Sequence, residues 1–210
     1  MNNRIKCSLW VFIAAFCMLG ASAYAQQEEV AKLDSAINDA MKIMYSAEYA
    51  DKTYEQKAIA VRTVLQDNYD LTVIIRRTMG RNWNLLSETE QVQVKELVTK
   101  MVVNGFIAGL QGLEKPKIKY GELISMGSKR FEIPSMVTFQ NSEPLNVTYR
   151  FGRLKTGWQI YDILAEDVSV VANYRQQIDD HFQKGTGAEL IKKLKKLLEK
   201  QNLDETPDLQ

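Results

Sequence analysis

Asp162, His181 and the run Gln183-Lys184-Gly185-Thr186-Gly187 are the parts of this 210-residue chain whose types and spacing invite a chemical reading. A metal centre needs converging histidines, cysteines or carboxylates. His181 is the single histidine; it follows Asp179-Asp180 and reads as a solvated side chain on a helix. A Ser/His/Asp hydrolase would depend on that same His181, and no G-x-S-x-G elbow is present to supply its nucleophile. The glycine-bearing run lacks the Gly-Lys-Ser/Thr ending that cradles phosphate, and reads as a helix stop followed by a helix start. Asp162 sits in Trp158-Gln159-Ile160-Tyr161-Asp162-Ile163, among apolar and aromatic neighbours. An apolar wall would raise its pKa and suit it to act as a general base. The plainer reading, which is favoured, is a carboxylate bonded to backbone or a nearby arginine, fixing the turn into the last helices.

The elements that would position these groups change period along the chain. Val30, Leu33, Ile37, Met41 and Met44 recur at helical spacing. Thr53 with Gln56 caps a second helix, and Asp70 a third that Gly80 ends. Ser87 with Glu90 opens the longest, carrying Val94, Leu97, Val98, Met101, Val102 and Phe106, and Pro116 ends it. Four strands follow at 117–124, 130–139, 145–154 and 158–165, joined by short turns into an antiparallel meander. Pro134 marks part of the second strand as an edge or bulge. Helices return at Ser169, and Thr186 with Glu189 caps a last one over 190–200. Its lysines, Lys192, Lys193, Lys195 and Lys196, read as the solvated side of a packed helix, and as a candidate docking face for an acidic partner or an anionic lipid surface. The order predicts an α+β fold, with helices packed around a curved antiparallel four-stranded sheet and an apolar pocket between them.

Arg4 and Lys6 precede a short uncharged apolar run over 9–19, then Ala23-Tyr24-Ala25. This is the pattern of a cleaved export signal, with cleavage after Ala25. Residues 26–200 then form one domain and 201–210 a flexible tail. Removing 1–25 takes Arg4, Lys6, Cys7 and Cys17, so 27 basic residues become 25 against 26 acidic, a net charge of −1. That balance gives no basic excess for nucleic acid. The mature chain has no cysteine, which fits a bacterial periplasm and a fold held by its core alone. Asn146-Val147-Thr148 matches a glycosylation sequon by chance in a strand.

Beside this bare chemical inventory stand large apolar side chains on facing elements: Met79, Trp83, Phe106, Val137, Phe139, Val147, Tyr149, Phe151 and Tyr161. From pattern alone they fill a core. Two stretches carry a resemblance further. Arg77-Thr78-Met79-Gly80-Arg81-Asn82-Trp83, followed by Leu86-Ser87-Glu88-Thr89-Glu90, resembles a segment of the MlaC family of periplasmic phospholipid-binding, toluene-tolerance-type transport proteins. Gly157-Trp158-Gln159-Ile160-Tyr161-Asp162-Ile163 with Asp167-Val168-Ser169-Val170-Val171-Ala172-Asn173-Tyr174-Arg175 resembles that family's closing signature. The likeness covers roughly 61–200. Met79 stands where the family usually has Leu, Asp167 where Gly is frequent, and Asn104-Gly105-Phe106 where a Thr-Tyr pair is common.

The resemblance implies a soluble periplasmic carrier, not an enzyme, that takes phospholipid as cargo, needs no cofactor or metal and leaves the headgroup outside. Its partners would be an inner-membrane ABC transporter complex and an outer-membrane lipoprotein/porin complex, and its role the maintenance of outer-membrane lipid asymmetry. The apolar residues named above then become the expected tail pocket. The alternatives are a carrier of another apolar lipid of the hopanoid type, a small cone-fold enzyme with Asp162 as base, and a structural adaptor without lipid.

Overall fold

Three reciprocal caps fix where helices begin. In the computed structural model, which describes residues 27–140 and 142–204, Thr53 Oγ1 accepts from Gln56 N–H at 3.2 Å while Gln56 Oε1 accepts from Thr53 N–H at 3.0 Å. Ser87 with Glu90 and Thr186 with Glu189 repeat the arrangement. Each cap satisfies amides that the first helical turn leaves bare, a contribution of about 1 kcal/mol. The expected export signal, with Cys7 and Cys17, and residues 205–210 of the expected tail lie outside the described residues.

Helix α1 covers 27–45, and a 3-10 turn at Ala47–Tyr49 leads to α2 (Tyr54–Asn68). Asp70 caps α3 (Leu71–Met79), a second 3-10 segment spans Gly80–Leu85, and α4 runs Glu88–Ala108. After the sheet come α5 (Val170–Phe182) and α6 (Gly187–Asp204). The last helix therefore continues past Lys200, so residues 201–204 are helical where a frayed tail is expected.

The sheet has six strands, two more than expected: β1 (Lys117–Tyr120), β2 (Ile124–Ser125), β3 (Arg130–Thr138), β4 (Leu145–Leu154), β5 (Gly157–Ala165) and β6 (Val168–Ser169). All pairings are antiparallel in the order β1-β3-β4-β5-β6, with β2 also on β3. The expected 117–124 strand is broken at Gly121: its N–H donates in register to Pro134 O at 2.8 Å, but Pro134 has no N–H to return the bond and the ladder stops there. A strand residue's amide and carbonyl point to the same neighbour. The N–H that Pro134 lacks therefore faces this break, so proline inside β3 costs the ladder only the return bond to Gly121 and leaves the β3–β4 pairing intact. The extra strand β6 exists because Glu166 (φ 47°) and Asp167 (φ 63°) make a two-residue hairpin turn with both residues left-handed. Glu166 offsets part of that strain, its carboxylate accepting from Asn146 N–H at 2.6 Å.

The sheet's two faces have different partners. Phe131, Ile133, Ser135 and Val137 of β3 register with Phe151, Tyr149, Val147 and Leu145 of β4, which puts all eight on one face. An irregularity beside Arg150/Phe151 gives β5 one extra residue, Tyr161, so that Ile160 registers with Phe151 and Ile163 with Tyr149. This inner face packs under Leu33 and Ala36 of α1 and Tyr69 at the end of α2. On the opposite face, β5 packs against α3 and α5.

Two further apolar clusters complete the interior. Ile75, Met79, Trp83, Leu86, Val94, Leu97, Leu190 and Ile191 join α3, α4 and α6. Ile43, Val61, Val103 and Ile107 join α1, α2 and α4. At the end of α3, Gly80 (φ 57°) turns the chain, and Arg175 of α5 donates from Nε to Arg77 O at 2.8 Å. A terminal nitrogen of Arg175 reaches the same carbonyl. Buried Asn82 donates to Asp179 Oδ1 at 2.6 Å. The Arg77 guanidinium lies 4.6 Å from the Tyr161 ring centroid, and Tyr161 lies over Gly152, where a Cβ would come within 3.1 Å of the ring. The two stretches that carry the family resemblance thus latch onto each other across 98 residues of sequence.

Candidate functional site

Asp162 is 6 % exposed, and its oxygens are fully engaged. Ser169 Oγ donates to Oδ2 at 2.8 Å and Arg150 reaches the same oxygen at 3.4 Å. Oδ1 accepts from Ile163 N–H at 2.9 Å and from Val171 N–H at 3.2 Å, in the first turn of α5. Arg150 is shared with Glu132 at 2.7 Å. A general base needs a lone pair facing substrate. Asp162 instead ties β4, β5 and β6 to α5, as the plainer reading expects. His181 is half-buried rather than solvated; its Nε2 stands 3.0 Å from Thr186 O and its ring meets Phe182 edge-on. Among the described residues no cluster of His, Cys, Asp or Glu is arranged to hold a metal ion.

The inner sheet face is graded. At one end Phe131 stacks on Phe151 at 4.8 Å between ring centroids, Trp158 meets Phe131 edge-on, and Tyr69 meets Phe151 edge-on. Phe131 and Phe151 are fully buried. Towards the other end the residues become aliphatic and more accessible, reaching 37 % exposure at Leu145 and 59 % at Val168.

Polar groups beneath α1 interrupt this apolar surface. Among the described residues Tyr69 Oη, Tyr120 Oη and Glu29 Oε2 are buried with no hydrogen-bond partner of good geometry. Burial pushes the Tyr69 hydroxyl far above its ordinary pKa, with Glu29, Tyr120 and Tyr149 adding to the effect. Tyr120 is raised by burial first, then by Tyr149 and the nearby Asp34. Burial pushes Tyr149 up to about 12, the adjacent Ser135 hydroxyl pulling the other way. Glu29 is raised by burial, against the opposing charge of Lys32. These mutual influences place three phenols and a carboxyl close together at the α1–sheet contact.

Beside Tyr69 lies a cavity of about 680 Å³ where α1, α2, α3, α4 and the β4–β5 turn approach one another. Its lining includes Lys32, Arg62, Asp67, Tyr69, Asp70, Leu71, Ile75, Lys95, Glu96, Thr99 and Gln159. The volume is in the range of small-molecule sites, but most of the lining is polar.

The sequence-derived tail residues divide among these regions. Val137, Val147, Tyr149 and Phe151 share the inner face by register. Met79 and Trp83 pack in the α3–α4–α6 cluster, and Phe106 against the α1–α2–α4 cluster. Tyr161 belongs to the latch with Arg77, and half-buried Phe139 follows β3. Tyr69, Tyr120, Lys32, Arg62 and Lys95 also border these regions, outside the expected set. The last three come from three helices and have no shared spacing that could have grouped them. Tyr69 directly precedes a capping aspartate, the one local sign that its ring is turned inward.

Comparison with known proteins adds three findings. The family model described as MlaC protein matches residues 34–196. A solved structure, described as that of the phospholipid-binding protein from Ralstonia solanacearum in complex with a phospholipid at 1.53 Å, superposes with a TM-score of 0.72. The two are 19% identical, over 85% of this chain and 98% of that one, so the likeness establishes a common fold. No curated protein sequence matches the chain.

Proposed function

The chain belongs to the MlaC family, and from that premise we propose that it is a non-enzymatic carrier of phospholipid, exported to the periplasm by a signal cleaved after Ala25. What carries the reading is the inner sheet face. It is a largely apolar surface packed under α1 and the end of α2, with Ser135 and the phenols of Tyr69, Tyr120 and Tyr149 as its polar members. The phospholipid in the structure of the Ralstonia protein of this fold supports it.

Dimensions and energies agree. From Phe151 to Leu145 the inner face of β4 runs about 20 Å, at about 3.3 Å per residue. Half the thickness of a bilayer's hydrocarbon core is about 15 Å, so the face is long enough for an acyl chain. At about 0.8 kcal/mol per methylene, roughly thirty methylenes in two tails amount to about 24 kcal/mol. Lipid does not cross water at a useful rate against that cost, and an apolar container removes it without acid, base or metal. Val137, Val147, Tyr149 and Phe151 line the tail path in this reading, with Ile163 and Ala165 opposite β4. The carrier receives lipid from one membrane complex and delivers it to another, between an outer-membrane lipoprotein/porin complex and an inner-membrane ABC transporter complex, and so maintains outer-membrane lipid asymmetry.

The test is transfer of labelled phosphatidylethanolamine from donor to acceptor vesicles by the mature protein. Transfer that scales with protein and falls at least tenfold in Val147→Trp is the expected result. No transfer by the unaltered protein sinks the carrier. Full transfer by Val147→Trp removes the inner face as the tail path.

A further inference from the structure

The two ends of the sheet carry opposite charge. At one end the β2–β3 turn over 126–130 holds Lys129 and Arg130, the β4–β5 turn over 153–157 holds Arg153 and Lys155, and neither contains a carboxylate. At the other end Glu143 in the β3–β4 turn and Glu166 and Asp167 in the β5–β6 turn are exposed. We propose that the basic end docks on a membrane surface of anionic phospholipid, with Met126 and Leu154 entering the headgroup layer. The inference goes beyond the carrier reading and stands without it.

Strand register brings the four cations together. Arg130 stands opposite Gly152, and Arg153 N–H donates to Lys129 O at 3.0 Å, so the two turns lie side by side. All four side chains belong to exposed residues, and among the described residues none of them forms an ion pair. Glu132, the first carboxylate on β3, is held by Arg150 at 2.7 Å. Glu122 is the single carboxylate in 117–130, where Lys117 and Lys119 already outnumber it. The adjoining cavity, which Thr156 borders, sets its three cations against Asp67, Asp70 and Glu96, with Glu29 also acting near Lys32, and adds no positive charge to the turns. Anionic lipid attracts lysine and arginine held within a Debye length of the surface, about 8 Å at physiological salt. Four of them on two adjacent exposed turns can reach such a surface at once.

Apolar side chains at the same turns favour a membrane over an acidic protein. Met126 is 49 % exposed and Leu154 47 %, each within three residues of a lysine. Gly127 (φ 91°) and Gly157 (φ 103°) keep both turns tight. A membrane interface suits this mixture, because apolar groups enter it while lysine and arginine stay among the phosphates. The acidic end exposes Leu145 and Val168 as well, but beside Glu143, Glu166 and Asp167, which an anionic surface repels. Lys117 on β1 offsets only one of those carboxylates. The ten residues of β4 hold the two ends about 30 Å apart, at about 3.3 Å per residue. The field of an anionic surface therefore turns the molecule basic end first.

The experiment is co-sedimentation of the mature protein with phosphatidylcholine vesicles, with and without about one quarter phosphatidylglycerol. Binding to the anionic vesicles should be at least tenfold tighter than to the neutral ones, and should weaken as salt rises. Changing Lys129→Gln, Arg130→Gln, Arg153→Gln and Lys155→Gln together should weaken it at least tenfold. The same loss of charge on α6, through Lys192→Gln, Lys193→Gln, Lys195→Gln and Lys196→Gln, should leave it within twofold. Leu154→Trp supplies a second readout that does not depend on the fourfold variant folding. Its added fluorescence should be quenched by brominated phosphatidylglycerol in the vesicles, and that of Val168→Trp at the acidic end should not. Equal losses in the two fourfold variants, or equal quenching at the two ends, overturn the proposal. So does a folded protein that binds no anionic vesicle, which leaves the basic turns to an acidic protein. None of these measurements requires lipid on the inner face, so the proposal can fail while the carrier reading stands, and the reverse.

Discussion

The latch between α3 and α5 and the contact between α1 and the sheet treat polar groups in opposite ways. In the latch, Asp162, Asn82, Arg175 and Arg150 all have partners, several of them backbone amides or carbonyls. Under α1, Tyr69 and Glu29 carry buried atoms without partners, next to a polar cavity lined by both cations and carboxylates. A buried polar group left unsatisfied costs about 1–3 kcal/mol. The first region is therefore optimised for stability and the second is not, and such unspent polar capacity is what a binding site holds for its ligand. The family-bearing motifs lie mainly in the first region. They report the scaffold, while the site is built beside it.

The sharpest break of this contrast is Asp162→Ala. It strands Ser169 Oγ and the amides of Ile163 and Val171, and should cost about 3–5 kcal/mol. Thermal unfolding should fall by about 10 °C or more, with lipid content per folded molecule unchanged. Gly187→Ala comes next. Its Cβ would stand 2.6 Å from Glu90 Oε1 and 2.7 Å from Leu86, where α6 meets the cap of α4. A loss of about 1–3 kcal/mol should appear as a lower urea midpoint with unchanged slope.

Two smaller changes should raise stability. Asp167→Gly relieves a left-handed residue in the β5–β6 turn, a gain of about 1 kcal/mol readable in the same titration. Tyr69→Phe removes an unpartnered buried hydroxyl and should stabilise the lipid-free protein by about 1 kcal/mol, whereas a loss would show that the hydroxyl is already satisfied. The smallest effect belongs to Glu29. Its native pKa is raised above 4.5, so its contribution to folding is full below that value and is lost as pH rises through the raised native value. Glu29→Gln should flatten this dependence, seen as a smaller difference between urea midpoints at about pH 4 and about pH 7.

How much of this was legible in the sequence follows the same division. Thr53/Gln56, Ser87/Glu90 and Thr186/Glu189 announced their helices because capping is local, a matter of three residues. The β4 alternation of Leu145, Val147, Tyr149 and Phe151 was equally plain, since period two is read within one strand. Strand β6 was hidden because its turn uses Glu166 and Asp167 where glycine or asparagine is the usual signal. The break between β1 and β2 depends on Gly121 meeting Pro134, a contact that pairing creates. The candidate tail residues share size and hydrophobicity, which core and pocket have alike. They accordingly fell into separate clusters, with Met79 and Trp83 among the helices and Tyr161 in the latch. The cavity needs Lys32, Arg62 and Lys95 brought together from three helices, and no local pattern encodes that meeting.

Native mass spectrometry of the mature protein purified from a bacterial periplasm, with organic extraction of whatever is bound, tests the central claim most directly. The account predicts phospholipid at close to one per protein. A ligand-free protein that also takes up no added phospholipid would contradict it and leave the inner face as ordinary core.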